Sequence, residues 1–144
     1  MAEQNMHLYH ELMHVSHLLR HGHGEPGLKV APGQQRVLSL LGRNGPMPQP
    51  RLLEALGVAP ATLSELLSKL EGKGLVKRTK SEKDRRVVMV ALSPKGTRKA
   101  EEIMNTQQSI ADEVFEALSA EQRDDLHELL QMLIDNWNEK NKEN

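Results

Sequence analysis

Apolar residues along this chain fall into helical and alternating patterns that change abruptly at glycine, proline and charged clusters. Leu8, Leu12, Val15 and Leu19 repeat at helical spacing over about residues 3–20. Leu52, Leu53 and Leu56 form a short second stripe that stops at Gly57, where a helix end favours a residue tolerant of left-handed backbone angles. After Val58, the residues Leu63, Leu66, Leu67 and Leu70 make one apolar face. Thr62, Ser64, Glu65, Ser68 and Lys69 fall on the others, so one side packs and the other is free to touch a partner.

The pattern then becomes β-like. Gly72 and Gly74 bracket Lys73 and close the helix, and Leu75-Val76-Lys77-Arg78-Thr79 has the composition of a short strand. Residues 81–86 contain no apolar side chain, and Val87 to Leu92 return as a second β-prone run. The two runs predict a hairpin whose charged tip projects into solvent. Ser93-Pro94 predicts the next helix start, with Ser as cap and Pro in the first turn. That helix runs to about Leu118 and carries Ile103, Met104, Ile110, Val114, Phe115 and Leu118. Ser119 and Gln122 form a capping box for a last helix, with Leu126, Leu129, Leu130, Leu133, Ile134 and Trp137 on one face. The fold class expected is mainly α with a small β-hairpin wing (α+β), a winged helix-turn-helix flanked by N- and C-terminal helices. Its parts are an N-terminal helix and loop at 1–30, the winged unit at 31–96 and the C-terminal helices at 97–144, together one domain.

Charge sharpens this picture. Residues 51–100 hold 12 Lys/Arg against 5 Asp/Glu, whereas the remainder holds 7 against 15, for a total of −1 over the 144 residues. The positive segment coincides with the expected winged unit. A cationic face of this kind gains affinity for duplex DNA by releasing condensed counterions, and the acidic flanks oppose indiscriminate binding.

At these residues the chain resembles the MarR family of bacterial transcriptional regulators. The strongest match is the wing, where Asp84-Arg85-Arg86 is followed by Val90, Leu92, Ser93 and Gly96 in a D-x-R-x-x-x-V-x-L-[ST]-x-x-G pattern. The run from Leu70 to Arg78 is similar to the family's L-E-x-K-G-L-[VI]-x-R segment. The resemblance implies that Arg86 reaches into the minor groove while Asp84 holds it by a charged hydrogen bond. A narrow, electronegative groove suits a guanidinium. It further implies a homodimer, a palindromic operator read by recognition helix 59–72 and wing 79–90, and repression relieved by a small-molecule effector.

The recognition helix departs from many relatives. It has Glu65 where a basic residue is common, and Ala59, Pro60 and Ala61 give its start little hydrogen-bonding capacity. Thr62, Ser64, Ser68 and Lys69 remain candidates for base edges or phosphates. Three readings of Glu65 stay open: it accepts from a cytosine amino group, it repels non-cognate phosphate, or it pairs with a nearby Lys. Arg51, Lys69, Lys83 and Arg85 are expected on backbone phosphates, which position without specifying sequence. A winged module that binds protein instead of DNA is the alternative that Glu65 motivates.

Six of the seven histidines lie within residues 7–23. His7, His10, His14, His17 and His21 are spaced three, four, three and four apart, forming a stripe beside the leucines, with His23 just beyond. Spacing of four brings two imidazoles to one metal ion, so His10, His14, His17 and His21 are the candidate ligands for a metal or haem. The same cluster would charge together below about pH 6.5 if it served as a proton sensor. An ordinary amphipathic helix face or the lining of a small-molecule pocket is the simpler reading, and no cofactor is expected.

The chain has no cysteine, which removes disulfides and thiol switches. No run approaches the roughly 18 apolar residues of a membrane span, and no secretion leader is visible, so a cytoplasmic location without membrane partners is expected. Glycine-rich phosphate loops and Gly-x-Ser-x-Gly elbows are missing, which argues against an enzyme. The leucine faces of both terminal segments exceed what one small winged unit needs. Pairing them between two copies would present two recognition helices to half-sites about one DNA turn apart. An effector cleft is expected between the N-terminal helix, Gln34 to Leu41 and the start of the helix after the wing, with the 21–27 loop as a joint.

Overall fold

The computed structural model describes residues 1–21 and 30–142. His23 and most of the 21–27 joint lie outside the described residues. The element order is α1 (Ala2–His21), α2 (Pro32–Asn44), β1 (Met47–Pro48), α3 (Gln49–Leu56), α4 (Pro60–Gly72), β2 (Val76–Lys80), β3 (Val88–Leu92), α5 (Pro94–Phe115) and α6 (Ala120–Lys142). The fold is therefore mainly helical with one small sheet, a winged helix-turn-helix with long flanking helices. It divides into two compact units, residues 24–108 and residues 1–23 joined with 109–144.

The first unit holds the core. Val37, Leu38 and Leu41 of α2, Leu52 and Leu56 of α3, and Leu63, Leu67 and Leu70 of α4 are buried against Val76, Val90, Ala100 and Ile103. Each large apolar side chain so buried contributes about 1.5–3 kcal/mol, enough together to order three short helices that would not hold alone in water. Helix α2 was not separable in the sequence from its surroundings. It has Ala31 as an uncapped start and Pro32 at its first turn, and its apolar positions sit among glutamines. Helix α3 ends as expected at Gly57, which has φ 64°. The Arg36 guanidinium donates to Leu56 O at 3.1 Å, tying α2 to the end of α3.

The sheet has the order β1-β3-β2 and is antiparallel throughout. Val76 pairs with Leu92, Arg78 with Val90 and Lys80 with Val88, so the hairpin strands fall within one residue of the expected 75–79 and 87–92. Residues Met47 and Pro48 add an edge strand opposite Val90 and Met89 that the sequence did not signal. Its proline sits where edge strands tolerate a missing N–H.

The end of α4 is fastened to the start of α5. Gly74 N–H donates to Glu71 O and Leu75 N–H to Leu70 O, both at 2.9 Å, with Gly74 at φ 71°. This is a Schellman turn, and it aims the chain into β2. Ser93 caps α5 as expected: its Oγ accepts from Gly96 N–H at 3.0 Å and donates to Gly74 O at 2.6 Å. Ser93 N–H donates to Leu75 O at 3.0 Å, and Lys95 Nζ donates to Lys73 O at 3.0 Å. Gly96 lies so close to Leu75 that an added Cβ would sit 1.9 Å from Leu75 O.

The second unit has a different character. Among its described residues none is buried. Leu8, Leu12 and Val15 of α1 are 50%, 45% and 37% exposed, and Leu129, Leu133, Ile134 and Trp137 of α6 are 49–69% exposed. The capping box at the start of α6 forms as expected, with Gln122 N–H to Ser119 Oγ at 3.1 Å and Ser119 N–H to Gln122 Oε1 at 2.9 Å. Helix α5 ends at Phe115, three residues before the expected Leu118.

Gly96→Ala is expected to destabilise the fold by at least about 2–3 kcal/mol, because the clash is with backbone that cannot swing aside. Gly72→Ala, at an exposed helical position with nothing within 4 Å, should be neutral or stabilising by up to about 1 kcal/mol. Urea denaturation of the two variants checks both signs.

Candidate nucleic-acid interface

Helix α4 presents Thr62, Ser64, Glu65, Ser68 and Lys69 to solvent while Leu63, Leu67 and Leu70 are buried. Its start carries no side-chain cap, and Pro60 occupies the first turn. The polar face is therefore short and lightly furnished, as the sequence suggested.

Of the three readings of Glu65, the geometry brings it to a lysine. Lys69 Nζ lies 3.0 Å from Glu65 Oε1, with the side chains 57% and 68% exposed. An exposed pair at this spacing contributes only about 0.3–0.5 kcal/mol. Lys69 is thus parked against Glu65 but remains available to a stronger anion at small cost.

Ser68 is less free than its place on the outer face implies. Arg78 Nη2, from β2, donates to Ser68 Oγ at 3.3 Å, while Arg78 Nε donates to Glu71 Oε1 at 2.5 Å. Side chains of Arg78 and Glu71 are 26% and 35% exposed, so this ion pair is screened less than the Glu65 pair. It ties the last turn of α4 to the first half of the wing. Glu71 and Arg78 were legible as motif letters in the L-E-x-K-G-L-[VI]-x-R segment, but their seven-residue separation gives no cue that they meet. Lys73 Nζ, donating to Gln34 Oε1 at 2.8 Å, is a second tie that sequence spacing hides.

At the wing tip, Asp84 grips Arg86 three ways. Arg86 N–H and Nε both donate to Asp84 Oδ1 at 3.1 Å, and Nη2 donates to Oδ2 at 3.3 Å. Val87 N–H to Asp84 O at 2.9 Å and Ser81 N–H to Val87 O at 2.8 Å close the turn beneath. Asp84 is 42% exposed and Arg86 91%. The guanidinium is thus oriented yet almost wholly in solvent, the state of a group set out for a partner. The side-chain hydrogen bond from Arg86, with its backbone N–H second, holds the Asp84 carboxyl below the usual carboxylate value.

Lys83, Arg85 and Arg51 are exposed and form no ion pair among the described residues. No geometry ties them to one another or to Arg86. The histidines of α1 are likewise exposed, and among the described residues no three His, Asp or Glu side chains converge as a metal site. The continuous helix also corrects their placement. At 100° per residue the histidine stripe lies about 150° from the stripe of Leu8, Leu12, Val15 and Leu19, nearly opposite rather than beside it. A cavity of about 310 Å³ occurs within the winged unit, lined by Leu41, Pro46, Leu92, Thr97, Glu101 and Met104 among others. It shares Leu41 and the start of α5 with the expected cleft, but Gln34 to Leu40 do not line it.

The depressed Asp84 value sets a sign. The tether is complete at neutral pH and is lost only as pH falls through that lowered value, below the ordinary carboxylate range. The Asp84 carboxyl carbon shift, followed by NMR against pH, should therefore inflect below the value of an ordinary exposed aspartate, and Arg86→Ala should move the inflection back up towards it.

The geometry can be set beside known proteins. The MarR family model matches residues 30–88, which span α2 to the start of β3. The uncharacterized HTH-type transcriptional regulator YwhA of Bacillus subtilis is 30% identical over 87 residues, covering 60% of this chain and 63% of the relative, so the match spans less than two thirds of that protein. A structure of BpsR from Bordetella bronchiseptica, described for regulation of its DNA binding by 6-hydroxynicotinic acid, superposes with a TM-score of 0.72 at 24% identity over 88% of this chain and 98% of that one. A mutant MarR from E. coli complexed with operator DNA gives 0.70 at 23% identity, covering 91% of each chain. These two share the fold over about nine tenths of this chain. With the family model on the winged unit and the fold shared with these structures, the chain is similar to the MarR family across residues 30–88.

Proposed function

We propose that this protein is a sequence-specific DNA-binding transcriptional regulator that acts as a homodimer on a palindromic operator. The observation that carries the reading is Arg86, 91% exposed at the wing tip and held in place by three hydrogen bonds to Asp84. An oriented, solvated guanidinium on a narrow hairpin suits the minor groove, where an A·T-rich tract concentrates negative potential. Helix α4 then occupies the neighbouring major groove, with Thr62, Ser64 and Glu65 nearest base edges and Lys69 on phosphate. Arg51, Lys83 and Arg85 supply the sequence-independent share of affinity.

The dimer rests on the second unit. Rows of half-exposed leucines on α1 and α6, with Trp137 at 69% exposure, exceed the scattered apolar surface of a monomer. A second copy is the partner that buries them on both sides at once. Both the MarR–operator complex and the BpsR description concern proteins of this fold that bind DNA, and the second adds a small aromatic acid as effector. For this chain the cavity beside β3 and α5 is the effector site we favour. It carries Glu101 and no lysine or arginine, so it suits a neutral or cationic molecule better than an anion. An effector with unequal affinity for two dimer conformations shifts operator occupancy whatever route the change takes. Among the described residues no helix is long and apolar enough to cross a membrane.

A mobility-shift titration on the DNA upstream of the protein's own gene tests this. Saturable binding that weakens steeply with salt is expected, with Arg86→Ala reducing affinity about tenfold or more and flattening the salt slope by about one ion. Glu65→Gln should change which bases are preferred, whereas uniformly tighter binding to all sequences would assign Glu65 to repulsion. Retardation that is weak and indifferent to sequence would remove the proposal.

A further inference from the structure

Helix α1 carries a feature that DNA binding and dimerisation leave unused. Five histidines share one exposed stripe nearly opposite the leucine row, bordered by Met6, Met13 and Leu18. Imidazoles along a solvated helix face confer no packing benefit, and histidine is a poorer helix former than the alanine, lysine or glutamate that such a face usually carries. Two of them are already arranged as a pair. The rings of His17 and His21 lie with centroids 4.6 Å apart and planes tilted by 42°.

That separation has a chemical meaning. A divalent ion about 2.0–2.1 Å from each ligating nitrogen lies roughly 3.2 Å from each ring centroid. Two imidazoles on adjacent tetrahedral or square positions then have centroids about 4.5–5.2 Å apart. The observed 4.6 Å falls within that range, so the pair admits such an ion without a change in ring separation. We infer that His17 and His21 form a two-imidazole site for a borderline divalent transition ion of the zinc, nickel and copper class, spanning the last turn of α1.

Such an ion staples residues one turn apart. Within a single chain no residue of helix α1 is buried, so order in its last turn is sensitive to local interactions. A cross-link between positions four apart is compatible with the helix and incompatible with an extended chain, which couples ion binding to helix order. Among the described residues no third His, Asp or Glu converges on the pair, so water is assigned the remaining positions. Affinity should therefore be that of a two-ligand chelate, well short of a closed structural zinc site. His10 and His14 have the same spacing and provide the internal comparison.

Isothermal titration of the full-length protein with zinc chloride, paired with hydrogen exchange at the amides of α1, tests the assignment. The expected result is saturable binding with the tightest class near one ion per chain, and slower exchange in the last turn of α1 when zinc is present. His17→Gln/His21→Gln, which keeps helix propensity and side-chain size similar, should weaken that class at least tenfold and abolish the exchange effect. His10→Gln/His14→Gln should leave both intact. Absence of saturable binding overturns the inference, as does loss in the second variant with retention in the first, or loss only when all four histidines are replaced.

Discussion

The close contact between Gly96 and the backbone of Leu75 is the tightest constraint on how the wing sits against α4. No side chain fits there, so the first turn of α5 rests directly on the segment joining α4 to β2. Ser93 completes the joint: one hydroxyl accepts from Gly96 N–H, donates to Gly74 O, and leaves the Ser93 N–H to bond Leu75 O. The end of α4, the start of β2 and the start of α5 are thereby fixed to one another by backbone groups, whose geometry is less variable than that of side chains. The Arg78–Glu71 ion pair adds a second fastening, farther out on the wing. Under the proposed function, a hairpin and a helix entering two neighbouring grooves of DNA need such rigidity, since orientation lost on the free protein has to be recovered on binding.

Outward from this joint, the interactions become progressively weaker and more exposed. The core leucines are buried, Arg78 and Glu71 are partly so, and Arg86 stands in solvent with only Asp84 to hold it. That gradient is what a DNA-reading surface requires: the scaffold is fixed, and the groups that exchange water for phosphate or base edges remain accessible. The Glu65–Lys69 pair belongs to the same outer layer. It costs little to break, so it adjusts the approach of α4 without locking it.

The sequence carried much of this because the relevant signals are local. Gly57 and Gly74 ended helices through left-handed backbone, Ser93 and Ser119 capped the helices that follow them, and the charged run between two β-prone segments made the hairpin. The pairing of Asp84 with Arg86 was implied by the resemblance of the wing to the family's motif, and the hydrogen bonds between them are present. Contacts that close over longer distances were not legible. Arg78 with Glu71, Lys73 with Gln34, and Met47 with Val90 depend on how elements meet after folding, and helix α2 needed tertiary burial of Val37, Leu38 and Leu41 to reveal its period among polar neighbours. The histidine stripe was read correctly in spacing but placed on the wrong side of its helix relative to the leucines, an error that a full turn count along α1 removes.

The central claim is that α4 and the wing act as one rigid reader on two adjacent grooves, twice per dimer. Methylation interference on the bound operator addresses it directly, because guanine N7 lies in the major groove and adenine N3 in the minor groove. Interference is predicted at guanines of two half-sites about one helical turn apart and at adenines of the minor groove flanking each, with the adenine signal lost in Arg86→Ala and the guanine signal kept. Interference confined to the major groove in the wild-type protein, or a single unpaired half-site, would contradict the account.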